Sequence, residues 1–207
     1  MIIACLDLEG VLIPEIWINV AELAGVPELR ATTRDVPDYD ALMRQRLAIL
    51  ADRDIRLQNI RPIIESMAPL KGARDFLNAM RERYQVIILS DTFYEFAGPF
   101  MRQLGWPTLF CNRLDVDQDG RIVGYRLRQG DQKRHAVRAL QSLNYCIIAA
   151  GDSYNDATML AEADSGILFR PPDYVAREFA QYPVTNTYDE LEAAFLEASI
   201  ARAADPA

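Results

Sequence analysis

Two carboxylates, Asp7 and Glu9, stand two residues apart directly after the apolar run Met1-Ile2-Ile3-Ala4-Cys5-Leu6 and directly before Gly10. Polar groups end two further apolar runs: Ser90 and Asp91 follow Gln85-Val86-Ile87-Ile88-Leu89, and Asp152 follows Tyr145-Cys146-Ile147-Ile148-Ala149-Ala150-Gly151. Lys133 lies between those two runs. Phosphoryl transfer through an aspartate uses such a set. Asp7 would attack phosphorus and form an acyl phosphate. Nucleophile and phosphate are both anionic, so a hard cation held by carboxylates has to cancel their repulsion. Lys133 would add a point charge on the phosphoryl oxygens, and Ser90 a hydrogen bond to one of them. Glu9 would protonate the leaving alkoxide and then activate the attacking water. Each residue alone also has a structural reading: Ser90 as a turn cap, Lys133 as a surface charge, Asp152 as the cap of the next helix.

For these residues to meet, the apolar runs must lie side by side. Their β-branched, continuous character predicts strands buried on both faces, as in parallel sheets. Ligands of such sheets bind at the carboxyl ends of the strands, where all these polar groups fall. Strand and helix patterns alternate from Lys71 onward, which predicts an α/β, Rossmann-like, doubly wound parallel sheet. Residues 14–70 read as helices without a strand. Pro14 fits a first helical position with Glu15 in the first turn, Asp38 can cap a second helix, and a third covers Leu57 to Met67. The expected organisation is a catalytic core of residues 1–13 and 71–207 with a helical cap at 14–70. A short extended piece is expected at Thr108–Cys111. A small hairpin follows at Leu114–Leu127, turning at Asp117-Gln118-Asp119-Gly120. Asp115-x-Asp117-x-Asp119-Gly120 also matches half an EF-hand loop, but Arg126 occupies the twelfth position where a bidentate Glu is needed. Thr187 with Glu190 opens a last helix, and the tail Ala201–Ala207 is expected to fray.

The 207 residues carry 22 basic and 30 acidic side chains, a formal net charge of −8. That excludes the basic footprint of nucleic-acid binding and disfavours an anionic membrane surface. No apolar stretch is long enough to cross a bilayer. Cys5, Cys111 and Cys146 have no zinc spacing, and a reducing compartment is implied. His135 is the single histidine, so no His-pair metal site exists. With no leader pattern at the start, the expected location is the cytoplasm.

Asp7-x-Glu9-Gly10, Leu89-Ser90-Asp91-Thr92, Lys133 and Gly151-Asp152-Ser153-Tyr154-Asn155-Asp156, in this order, resemble the four motifs of the haloacid dehalogenase superfamily of phosphatases. Pro14-Glu15 and Arg44-Gln45-Arg46-Leu47 resemble the substrate-reading positions of its phosphoserine phosphatases. The form Asp-Leu-Glu-Gly-Val of the first motif is similar to the branch that also transfers the phosphoryl group from phosphoserine to homoserine. The resemblance implies a Mg²⁺-dependent phosphatase working through an aspartyl-phosphate on Asp7, with phosphoserine and homoserine as small-molecule partners. It implies Asp7, Glu9 and Asp152 at the metal, with Asp156 behind them. Ser90, Asp91, Lys133 and Asn155 would surround the phosphate. Glu15 would meet the substrate ammonium and Arg46 its carboxylate, in a bidentate fork. Whether Glu9 reaches the metal by its side chain or its backbone carbonyl is left open. So is the oligomeric state, a homodimer being one arrangement. The usual first motif is Asp-x-Asp. Glu9 keeps acid–base competence but is one methylene longer, which would leave room for an alcohol acceptor. Two other readings stand beside this one. One is a phosphatase of another small phosphorylated metabolite. The other is a phospho-acceptor signalling module, whose acceptor lies on a later strand and which lacks a helical insert.

Overall fold

The computed structural model describes residues 1–32, 35, 36 and 38–204. The part of the expected fraying that concerns residues 205–207 lies outside them, as do residues 33, 34 and 37. Seven strands among the described residues form one sheet: β1 (Ile2–Leu6), β2 (Gln85–Phe93), β3 (Thr108–Val116), β4 (Ile122–Arg126), β5 (Cys146–Gly151), β6 (Ser165–Phe169) and β7 (Val184–Thr185). Their order is β4-β3-β2-β1-β5-β6-β7. All neighbours are parallel except β3 and β4. The helices are α1 (Ile16–Ala24), α2 (Tyr39–Asp52), α3 (Leu57–Ser66), α4 (Ala73–Arg83), α5 (Tyr94–Gln103), α6 (Gln132–Gln141), α7 (Ala157–Glu162), α8 (Asp173–Glu178) and α9 (Tyr188–Ala204).

The period of two along each strand divides the core between two faces. Ala4, Leu6, Ile88, Ile148 and Ala150 pack with Leu77, Phe96 and Phe195 of α4, α5 and α9. Ile3, Cys5, Leu89, Ile147 and Ala149 pack with Val137, Met159 and Val175 of α6, α7 and α8. Helices therefore cover both faces, and the continuous apolar runs are explained by strands with no wet side. The inserted helices α1 to α3 add Trp17, Val20, Met43, Leu50 and Ile60 to the first of these clusters. Their apolar side chains are thus continuous with those under the sheet.

Several local expectations are altered. Helix α1 opens at Ile16, because Glu15 is extended (φ −55°, ψ 118°) and Glu9 already accepts the Ile16 amide hydrogen at 2.8 Å. Pro14 therefore stands in the connection and not in the helix. The extended piece at Thr108–Cys111 and the first arm of the hairpin are one strand, β3, which pairs with β2 on one edge and β4 on the other. The turn forms as its residues require, with Asp117 Oδ1 accepting from the Asp119 and Arg121 amides at 2.9 and 2.8 Å. Asp131 caps α6 without a side-chain bond to it, at φ +47°; its carboxylate instead accepts the Thr158 hydroxyl at 2.6 Å. The short elements α8 and β7 are not legible as periodic patterns.

Candidate active site

Strand β1 lies between β2 and β5, with Leu6 in register with Ile88 on one side and Ala150 on the other. Residues just past these positions must converge. Asp7 continues the ladder by donating its amide to the Ala150 carbonyl at 2.9 Å, and its side chain is buried. Lys133, in the first turn of α6, reaches across and donates to Asp7 Oδ1 at 2.8 Å and Asp156 Oδ1 at 2.7 Å. Asp91 Oδ2 stands 3.8 Å from the same ammonium. The sequence motifs are thus brought to one point by topology.

Two glycines permit this crowding. Gly10 sits at φ +79°, where an added Cβ would lie 2.5 Å from Asp152 Cγ. A Cβ on Gly151 would lie 2.3 Å from Asp156 Cγ. Asp156 is fully buried and cannot retreat, and its Oδ2 accepts from the Asp152 and Ser153 amides at 2.9 and 3.1 Å. Gly151→Ala should accordingly lower stability by about 2 kcal/mol or more, the upper range of ordinary overpacking. A melting temperature within a degree of the parent's would show that the loop yields freely.

Electrostatically the site holds three buried carboxylates against one ammonium. One oxygen each of Asp7, Asp152 and Asp156 lies within 4.8 Å of the others. Burial, then Asp156, pushes the Asp7 carboxyl well above its ordinary value, although Lys133 opposes the shift. Burial disfavours the Lys133 charge, but Asp156 and Asp7 outweigh it and hold its pKa well above the ordinary lysine range. Like charges packed this closely favour a cation among them, and an all-oxygen donor set suits a hard ion. The cluster could hold a metal.

Glu9 is not part of that cluster among the described residues. Its carboxylate turns toward the inserted helices and accepts from Ile16 N. Burial and the neighbouring Glu15 raise its pKa to about 7, against the hydrogen bonds from Ile16 and Thr92. A carboxyl titrating near neutrality is suited to passing a proton either way.

Asp7, Glu9, Glu15, Arg46, Asp91, Lys133, Asp152 and Asn155 all line one cavity of about 100 Å³. Ser90 does not. It is buried beneath, with its hydroxyl accepting from Thr92 N at 3.2 Å. The reason is a bulge: the five residues of β2 from Leu89 to Phe93 stand against the three of β3 from Phe110 to Asn112. That irregularity swings residues 90–92 off the ladder, as bulges beside sites commonly do, and presents Asp91 and Thr92. The cavity walls also include Trp17, Thr32, Tyr39, Leu42, Phe93 and Ser153, which carry no reading as site residues in the sequence. Thr92 and Ser153 lie inside quoted motifs, and Tyr39 beside a recognised cap; Trp17, Thr32, Leu42 and Phe93 gave no signal as site residues.

Arg46 is 6 % exposed, and its guanidinium centre lies 4.5 Å from the centroid of the Trp17 ring. One amino group donates to the Ala31 carbonyl at 2.9 Å. Its Nε is buried with no hydrogen-bond partner among the described residues. Burial lowers its pKa to about 10, with Tyr39, Glu9 and Glu15 acting the other way, so it remains cationic at neutral pH.

A parallel α/β sheet with a buried aspartate–lysine–aspartate cluster at its strand ends defines a phosphoryl-handling hydrolase of the aspartate type. Residues 3–164 match the model of the haloacid dehalogenase-like hydrolases, and the chain belongs to this family. It is 61 % identical over 197 residues to a phosphoserine phosphatase of Pseudomonas syringae pathovar tomato, covering 95 % of this chain and 83 % of that protein. It is 59 % identical over 199 residues to the phosphoserine phosphatase ThrH of Pseudomonas aeruginosa, covering 96 % and 97 %. A solved substrate-bound phosphoserine phosphatase complex shares the fold, with a TM-score of 0.74 at 19 % identity over 92 % of this chain and 95 % of that one. No helix among the described residues is long and apolar enough to cross a membrane.

Proposed function

We propose that the protein is a Mg²⁺-dependent phosphoserine phosphatase that also transfers the phosphoryl group from phosphoserine to homoserine. The observation that carries this reading is the Arg46 Nε. A buried cationic donor without a partner is costly, and the residue that bears this one lines the cavity that holds Asp7 and Lys133. A substrate carboxylate would satisfy it. Glu15, on the same wall, would take the substrate ammonium, leaving the phosphate toward Asp7. High identity to two phosphoserine phosphatases supports the same conclusion.

In this reading Asp7 attacks phosphorus and Glu9 protonates the departing serine oxygen. Lys133 holds the Asp7 carboxylate and meets the phosphoryl oxygens. Asp7, Asp152 and Asp156 would hold Mg²⁺, which supplies the positive charge that offsets repulsion between nucleophile and substrate. Glu9 then takes the proton of the acceptor. Its carboxylate is anchored on the segment that bears Glu15, so an amino-acid alcohol held there competes with water for the same base. Residues 14–70 serve as the substrate-reading cap. A cytoplasmic location fits the three free cysteines, Cys5, Cys111 and Cys146.

The deciding experiment supplies phosphoserine, Mg²⁺ and homoserine and follows free phosphate and phosphohomoserine together. Both should form, and chelation should stop both. No phosphoserine turnover would overturn the reading, and phosphate alone would remove the transfer branch.

Arg46→Ala should raise KM for phosphoserine by roughly 10- to 150-fold, the equivalent of about 1.5–3 kcal/mol for a lost charged hydrogen bond. A small phosphate ester lacking a carboxylate should change only a few-fold. Equal losses on both esters would show that Arg46 does not read the carboxylate.

A further inference from the structure

The β3–β4 hairpin touches the inserted helices in two places. At its tip, the Gly120 carbonyl accepts from the Leu57 amide at 2.9 Å, where α3 begins. Along β4, the Tyr125 hydroxyl donates to Asp40 Oδ1, in the first turn of α2. The neighbouring residue on α2 is Tyr39. Its ring meets the Tyr125 ring edge-on, with centroids 5.9 Å apart at 81°. Its hydroxyl donates to the Asp91 carbonyl at 3.4 Å, at the bulge of β2.

Tyr39 stands at a boundary. It lines the catalytic cavity of about 100 Å³ and also a wider chamber of about 380 Å³ outside it, bordered by Asp38, Gln129 and Asp131. Among the described residues only Asp91, Lys133 and Asn155 share this double position. Of these four, Tyr39 is the one on the inserted helices, held by α2, by the Tyr125 ring of the hairpin and by its own bond to the Asp91 carbonyl. The Tyr125 hydroxyl keeps its proton and remains a donor across the working pH range, since burial and the Asp40 bond push its pKa up to about 12.

We propose that Tyr39 determines which phosphate esters pass from the outer chamber into the catalytic cavity, and that Tyr125 positions it through Asp40. Tyr39 screens the entrance for width; Tyr125, across the hairpin, fixes the first turn of α2 so that the screen is rigid. Losing the Tyr125–Asp40 bond loosens the entrance toward wider esters while leaving the chemistry at Asp7 untouched. This rests on the phosphatase reading of the cavity and adds to it a selector and its support.

The test uses the full chain and two substrates, phosphoserine and the wider 4-nitrophenyl phosphate. Tyr125→Phe should raise the ratio of kcat/KM for the aryl ester over that for phosphoserine about fivefold, the scale of one exposed hydrogen bond. The phosphoserine change should fall on KM, with kcat within about twofold. Asp40→Ala should match it. Asp40→Asn, which keeps the acceptor oxygen, should stay close to the parent, and the double variant Tyr125→Phe/Asp40→Ala should show no further shift. Tyr39→Leu should move the ratio further than any of them. Amide exchange at Ala41 to Met43 should quicken in Tyr125→Phe, a reading that needs no turnover. An unchanged ratio, additive effects in the double variant, an Asp40→Asn as damaging as Asp40→Ala, or unchanged exchange overturns the proposal. If the parent cleaves the aryl ester but not phosphoserine, the substrate assignment fails separately. KM for the aryl ester and the exchange rates then decide the role of Tyr125.

Discussion

Asp7→Asn should abolish turnover, by roughly 10⁴-fold or more, on the scale seen when a catalytic nucleophile is removed, and leave a folded protein. An amide cannot form the acyl phosphate. The fold should survive because the substitution keeps shape and volume at a buried position and removes one of three crowded carboxylates. Asp7 sits with Asp156 and Asp152, both of which disfavour its charge. Lys133 loses one partner but keeps Asp156 at 2.7 Å. The check is kcat with phosphoserine beside a thermal melt, together with the absence of acid-stable labelled phosphoenzyme. A folded Asp7→Asn protein that retains more than about a hundredth of the activity would remove the phospho-Asp7 mechanism.

Glu9→Gln should lower turnover by about 10²–10⁴-fold, the usual weight of a general acid–base group, and at the same time stabilise the protein at alkaline pH. The sign follows from the direction of the shift. Folded Glu9 holds its proton up to about pH 7, whereas the ordinary value is 4.5. Between these values the folded state binds a proton that the unfolded state has released, so stability falls as pH rises through the window. The contribution of Glu9 is fully present below about pH 4.5 and lost above about pH 7. Glutamine has no such charge, yet its side-chain oxygen can still accept from Ile16 N. With divalent metal chelated, the variant should match the parent near pH 4.5 and exceed it at pH 8, by at most about 3 kcal/mol. Denaturant unfolding at the two pH values measures the difference. A variant less stable than the parent at pH 8 would show that the carboxylate is not held at a cost, and would weaken its assignment as the acid and base.

The chain itself settled the sheet and the place of the site. Ile2–Leu6, Gln85–Leu89 and Cys146–Ala150 have no polar alternation, and only strands buried on both faces accommodate that. Carboxylates at the ends of such strands are too costly to be incidental, so Asp7 and Asp152 were legible as candidates from position and type, and Lys133, in the first turn of α6, from its place in the ordered motifs. Hairpin chemistry was legible as well, because Asp117 and Gly120 serve a turn that depends on nearby residues alone. What the sequence could not supply was every direction set by a distant partner. Glu9 has the same identity whether it faces the acidic cluster or the inserted helices. It faces the helices because the Ile16 amide, at the start of α1, offers it a donor. Ser90 and Asp91 are adjacent in the chain, and only the bulge against β3 decides which of them reaches the cavity. The inserted helices read as a cap from their helical patterns, and Trp17, Met43 and Ile60 belong to the same continuous apolar cluster as Ala4 and Leu6 of the sheet, a fact of packing that no local pattern encodes. The same holds for Arg46, whose buried and unpartnered Nε is visible only once Trp17 and the Ala31 carbonyl have closed around the rest of the guanidinium. Periodicity and turn chemistry act over a few residues and are written in the chain; burial and the pairing of remote polar groups depend on where the folded chain brings them together.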